Sequence, residues 1–277
     1  MPDPRPIGVF DSGMGGLTVL RALARQLPEE RFLYLGDTAR LPYGTKSAET
    51  VQAYALQATR LLIQEGVKMI VVACNTASAV ALQPLAEALA PVPVIGVIEP
   101  GARAGVAATR NDHIAVIATE GTVKGGAYPR AICALRRAVK VVQQPCQVFV
   151  ALAEEGWTGS AVTLGAAQSY LDPLFRVPHA PDTLVLGCTH FPVLADAIRQ
   201  VVGNDVTIVD SAATTAAAVA DALATNGMGR ESGAGEAPKL RFLATDSPER
   251  FARVGAIFLG QPIDAAAVEL IDLKPGR

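Results

Sequence analysis

The sequence lacks most of the features that announce a function outright. Only 5% of its 277 residues are aromatic and 18% charged, and 24 Lys/Arg against 26 Asp/Glu leave a formal net charge of −2. It has no Lys/Arg block, so direct nucleic-acid binding is not expected, because neutralising phosphates takes clustered cations. Long apolar runs are missing too. Stretches such as Val92 to Ile98 are strand-sized and broken by Pro and Gly, too short to span a bilayer, so no membrane association is expected. The opening Met1-Pro2-Asp3-Pro4-Arg5-Pro6 has no basic segment, apolar core or small-residue cleavage site of a secretory signal. The expected compartment is the cytoplasm, where thiols stay reduced. Four cysteines in so long a chain do not make a disulfide scaffold, and none stand in a C-x-x-C pair. With three histidines, His113, His179 and His190, widely spread, no metal site is expected. Cys133, in the stretch Tyr128 to Ala138, and Cys146, beside Pro145, read as packing residues.

What the chain does have is apolar bulk in a regular rhythm. Half of it is hydrophobic, enough for a large core divided between two domains. Strand-like runs recur at Ile7 to Phe10, Phe32 to Leu35, Met69 to Ala73, Val94 to Val97, Ile114 to Ala118, Val139 to Val142, Leu184 to Leu186, Val206 to Val209 and Leu240 to Leu243. Between them lie helical patterns, among them Leu17 to Gln26, Ala48 to Glu65, Ala77 to Leu89, Val123 to Arg137, Val193 to Val202 and Thr214 to Ala224. Such alternation predicts an α/β protein with parallel sheets built from βαβ units. The polar, glycine-bearing stretch Asn226 to Pro238 reads as a mobile surface loop.

Two cysteines sit in near-matching settings. Val71-Val72-Ala73-Cys74-Asn75-Thr76-Ala77-Ser78 and Val185-Leu186-Gly187-Cys188-Thr189-His190-Phe191-Pro192 each run from an apolar strand through Cys and Thr into a helix start. Each sulfur is thereby placed at a strand's carboxyl end, where open α/β sheets bind ligands. A single such Cys is most often a small buried hydrophobe. The doubled context, 114 residues apart, instead suggests two related halves that present two thiols to one pocket. The first half is expected over 1–97 and 210–277, with Glu99-Pro100-Gly101 breaking the pattern, and the second over 98–209.

Paired thiols suit the inversion of a stereocentre through a carbanion, since a base must take a proton from one face and an acid supply one to the other. A thiol with a pKa near 8.5 needs only a modest shift to serve as either. Asp11-Ser12-Gly13-Met14-Gly15-Gly16 adds a glycine-rich turn after the first strand, able to hold an anion on backbone N–H groups, with Asp11 as either an acid/base helper or a helix cap. Its glycines fit neither a P-loop nor the dinucleotide spacing. Pro42-Tyr43-Gly44, after Gly36-Asp37-Thr38, is a further turn able to wall a pocket. His190, next to Cys188, reads either as a proton-handling partner or as an ordinary helix-start residue.

Asp11-Ser12-Gly13, Pro42-Tyr43-Gly44, Cys74-Asn75-Thr76-Ala77 and Gly187-Cys188-Thr189-His190, in that order, resemble the glutamate racemases of the aspartate/glutamate racemase group. Ile117-Ala118-Thr119-Glu120-Gly121-Thr122-Val123 and Glu154-Glu155-Gly156 extend the resemblance over almost the whole chain. It implies two pseudo-symmetric α/β domains and cofactor-independent interconversion of L- and D-glutamate, a peptidoglycan precursor. It also implies a homodimer, and some members bind DNA gyrase. The catalytic residues it implies are Cys74 and Cys188, with Asp11 assisting the first and Glu154 and His190 the second; position after Cys146 favours Glu154 over Glu155. Implied substrate contacts are Asp11, Ser12, Pro42, Tyr43, Gly44, Asn75, Thr76, Thr119, Thr122, Thr189 and His190. The few residues before the first strand leave no room for the long N-terminal extension of some activator-dependent members, so activation by a cell-wall nucleotide is not expected. The rival readings are an aspartate or hydantoin racemase, or a non-catalytic amino-acid-binding or partner-binding protein on the same scaffold.

Overall fold

The computed structural model describes residues 2–231 and 239–273. Among these residues ten strands form two sheets, all parallel. The larger has the order β10-β9-β2-β1-β3-β4, with β1 Ile7–Asp11, β2 Phe32–Gly36, β3 Met69–Val72, β4 Val94–Gly96, β9 Leu240–Ala244 and β10 Val268–Leu270. The smaller has the order β6-β5-β7-β8, with β5 His113–Ala118, β6 Lys140–Pro145, β7 Thr183–Gly187 and β8 Thr207–Asp210. The central strands β1, β2, β3 and β7 are buried throughout, which is why they read as unbroken apolar runs rather than alternating ones. The edge strand β6 is only half-buried and ends on Pro145, whose missing N–H does no harm there.

The nine expected strands are present, eight of them within a residue or two, while β6 runs three residues beyond the expected Val142, to Pro145. β10 has no apolar run of its own, since two of its three residues are exposed. The stretch Val123 to Arg137 divides into two helices, Glu120–Gly125 and Ala127–Leu135, hinged at Gly126 (φ +61°). Glu99-Pro100-Gly101 is not a break but the first turn of the helix Ile98–Ala108. Pro is tolerated because the first N–H groups of a helix have no intrahelical partner. A Cβ on Gly101 would press on Ser211 and Tyr128, so glycine there lets this helix lie close against the helix Ser211–Thr225. These two helices carry the chain from the larger sheet to the smaller and back.

One hydrophobic cluster runs from Val9, Leu17 and Tyr34 of the larger sheet's side to Val116, Val185 and Phe149 of the smaller's, so the two sheets share packed side chains. A second cluster, including Phe10, Val72 and Leu62, fills the other face of the larger sheet. Cys146 is buried, whereas Cys133 is exposed on its helix and is not the packing residue expected. Of the expected loop, Asn226 caps the helix Ser211–Thr225, and 232–238, with Gly233 and Gly235, lie outside the described residues. Among the described residues, no helix is long and apolar enough to cross a membrane, and no group of three or more His, Cys, Asp or Glu could hold a metal ion.

Candidate active site

The carboxyl ends of both sheets open on one cleft. From the larger sheet β1 delivers Asp11, β2 is followed by Asp37 and β3 by Cys74; from the smaller, β5 is followed by Thr119 and β7 by Cys188. A small cavity of about 30 Å³ lies between them, with room for one or two waters. Both cysteines line it, together with Ser12, Pro42, Tyr43, Gly44, Asn75, Thr76, Thr119, Thr189 and His190. Gln147 and Val150 line it as well, and no sequence motif marks them, because they come from around a short helix, Val148–Glu154, without a strand-end signal.

Hydrogen bonds join the two sides around the cavity. Thr18 Oγ1 donates to the Thr189 carbonyl at 3.1 Å, Thr76 and Thr119 hydroxyls meet at 2.9 Å, and Asn75 Nδ2 donates to Tyr128 Oη at 3.0 Å. Asn75 Oδ1, buried, has no hydrogen-bond partner among the described residues. The glycine-rich turn owes its composition to close approach rather than to an anion cradle alone. A Cβ on Gly15 would overlap His190 and Thr189, and one on Gly16 would overlap Asp11. Asp11 does not cap the following helix, whose N-cap is Gly16; its Oδ2 accepts from the Gly13 N–H at 2.9 Å.

The two thiols have different neighbours. Cys74 caps the helix Asn75–Ala88, accepting from the Ala77 N–H at 3.4 Å, and its Sγ donates to Ser12 Oγ at 3.5 Å. Burial, reinforced by the Asp11 carboxylate, pushes this thiol up to about 12, so it rests protonated. Burial also raises Asp11 itself. Cys188 Sγ instead lies 3.8 Å from His190 Nδ1, and His190 Nε2 lies 3.2 Å from Glu154 Oε1. Burial alone would depress His190, but Cys188 and Glu154 outweigh it and lift the imidazole to about 10, so it is an imidazolium at neutral pH.

Three of the expected site residues stand behind the cavity wall. Asp11 is fully buried beneath the turn, Glu154 reaches the site through His190, and Thr122 is buried with its hydroxyl 3.0 Å from Thr119 and 3.3 Å from Thr76. None of the three lines this small cavity. Tyr43 lines it, but its hydroxyl donates to Asp37 Oδ2 at 2.5 Å, while Arg40 Nε and Thr245 Oγ1 donate to Asp37 Oδ1.

A cleft between two parallel α/β sheets, with a thiol from each side and a His–Glu pair behind one of them, brings together groups able to move a proton on either face of a carbon acid. Residues 7–219 match the Asp/Glu/Hydantoin racemase family, and the chain belongs to it. It is 48% identical over 262 residues to the glutamate racemase of Syntrophus aciditrophicus, covering 95% of each chain. Among solved structures it is similar to a glutamate racemase isoform of Bacillus anthracis (40% identity, 99% of each chain, TM-score 0.91) and to the glutamate racemase of Francisella tularensis solved with D-glutamate (36%, 98% of each chain, TM-score 0.89).

Proposed function

We propose that this chain interconverts L-glutamate and D-glutamate without a cofactor, moving the α-proton through Cys74 and Cys188. The observation that carries this reading is that both thiols line one cavity from opposite sheets while only one has an imidazolium beside it. In one direction the Cys188 thiolate, hydrogen-bonded by the imidazolium, takes the α-proton from one face. The C–H electron pair stays on carbon, and the Cys74 thiol then gives its proton to the other face. The opposite direction starts from the complementary protonation state, in which Asp11 has taken the Cys74 proton and His190 has given one to Cys188, and runs the same two transfers in reverse. Buried hydrogen-bond donors around the α-carboxylate, from Asn75, Thr76, Thr189 and neighbouring backbone amides, stabilise the developing charge more strongly than water would. Asn75 Oδ1 is free to accept from the α-ammonium. Because the cavity holds only a water or two, an amino acid enters when the two sides part.

The division into 1–97 plus 210–277 and 98–209 as two domains is supported by strand membership, since β5 to β8 alone form the smaller sheet. A homodimer in the cytoplasm, feeding D-glutamate to peptidoglycan synthesis, is part of the same reading. DNA gyrase is a partner to test by co-purification, on the family resemblance alone. Glutamate is favoured over aspartate because relatives at 43–48% identity over nearly the whole chain carry the glutamate racemase name. Polarimetry with each amino acid, without pyridoxal phosphate, tests this: rotation of L-glutamate decays while that of L-aspartate persists, and the opposite pattern would overturn the substrate assignment.

A further inference from the structure

We infer that Arg250 is a positioning residue for the Cys188 half of the site: its guanidinium, from the helix Pro248–Leu259, holds Glu154 in the orientation that meets His190. Arg250 Nη2 lies 2.7 Å from Glu154 Oε2, which leaves Oε1 for His190 Nε2 at 3.2 Å, and His190 Nδ1 faces Cys188 Sγ at 3.8 Å. A carboxylate bound on both oxygens by cations has little freedom to turn, so the imidazole ring behind it is fixed as well. The same helix reaches His190 a second time. Phe258, fully buried, sets its ring edge-to-face against the imidazole with centroids 5.0 Å apart and planes at 72°.

The origin of these groups gives the contact its consequence. Glu154 and His190 belong to the smaller sheet's side, whereas the helix Pro248–Leu259 lies between β9 and β10 of the larger sheet. The Arg250–Glu154 pair therefore spans the two sides, and the His–Glu pair behind Cys188 is complete only when they are together. This role rests on the racemase reading for its purpose but not for its geometry.

The charged groups facing Glu154 are His190 and Arg250, and those facing His190 are Glu154, Cys188 and, across the cleft, Asp11. Burial alone would raise the Glu154 carboxyl; His190 and Arg250 reverse that and hold it below the ordinary value. Without the guanidinium, burial weighs more, and Glu154 takes up its proton at higher pH. Arg250 is partly exposed, so a rise of about one pH unit is expected, at the low end for an opposite charge.

The experiment compares wild type, Arg250→Gln and Arg250→Lys by ¹³C NMR of glutamate-labelled protein, with Glu154→Gln identifying the signal, alongside kcat/KM for glutamate between pH 4 and 9. Arg250→Gln is expected to raise the Glu154 titration midpoint by about one unit and to move the acid limb of kcat/KM with it, while Arg250→Lys stays near wild type. An unmoved carboxyl midpoint in Arg250→Gln overturns the inference, as does a rate lowered by one factor at every pH. If the wild type turns over no glutamate, the functional reading falls, while the carboxyl titration still decides the role of Arg250.

Discussion

The two cysteine turns begin alike in sequence and end in opposite chemistry. After Cys74 the chain enters a regular 14-residue helix, and the sulfur sits at its N-cap beside Ser12 with the buried Asp11 nearby. After Cys188 it makes a short 3₁₀ turn, Phe191–Leu194, before the helix Ala195–Val202 begins, which leaves His190 ahead of the turn and facing the sulfur. One sulfur is thus set in an apolar, anion-flanked place where it keeps its proton, and the other against a cation. A pseudo-symmetric fold supplies two equivalent strand ends, and the residues around each give the two sulfurs different electrostatic surroundings.

The largest expected effect comes from removing either sulfur's acidity. Cys74→Ser and Cys188→Ser should each lower racemisation by about 10²–10⁴-fold with an unchanged far-ultraviolet circular dichroism spectrum, since a hydroxyl is a far weaker acid/base group here. If one of the two variants kept near-normal turnover, the comparison would collapse to a single functional thiol. Next in size is the His190 pair. His190→Asn should cost about 10²-fold in kcat, and it should also change stability in a pH-dependent way. The folded-state pKa of about 10 lies above the unfolded value near 6.5, so its contribution is full below about pH 6.5 and lost as pH rises through about 10. Urea unfolding across that window should show wild type losing stability faster than His190→Asn; parallel curves would mean that the imidazole is neutral.

Much of this site was legible because its members follow strands. Asp11, Cys74, Thr119 and Cys188 stand within a residue or two of the ends of β1, β3, β5 and β7, and buried parallel strands are the clearest signal in an α/β sequence. What sequence patterns hide are contacts made by helices far apart in the chain. Gln147, Val150, Arg250 and Phe258 have no spacing relation to Cys188, and their roles exist only once the helices Val148–Glu154 and Pro248–Leu259 are packed against it. The helix Ile98–Ala108 was hidden for a different reason. Pro100 and Gly101 look like a break, and only its packing against Ser211–Thr225 shows that Pro occupies a tolerant first turn and Gly a close crossing.

Smaller effects sharpen the contrast between the two halves. Gly15→Ala drives a methyl group into His190 and Thr189, so it should lower kcat about tenfold and cost about 1–3 kcal/mol of stability, as overpacking does. Unchanged kinetics in that variant would show that the turn yields and does not hold the imidazole. Thr122→Val should be smaller still. It removes one buried hydroxyl shared by Thr119 and Thr76, costing about 1 kcal/mol in thermal or urea unfolding, with KM for glutamate unchanged. A several-fold rise in KM would show Thr122 to act on substrate binding.

The central claim is that glutamate's α-proton passes through two unequal thiols. The most direct test is ¹H NMR of L-glutamate in D₂O with reduced protein and no pyridoxal phosphate, run for wild type and both Cys→Ser variants beside polarimetry. The account predicts that wild type erases the α-proton signal as the optical rotation decays, and that neither variant does both. Retention of the α-proton by wild type, or its loss with full racemisation in either variant, would contradict it.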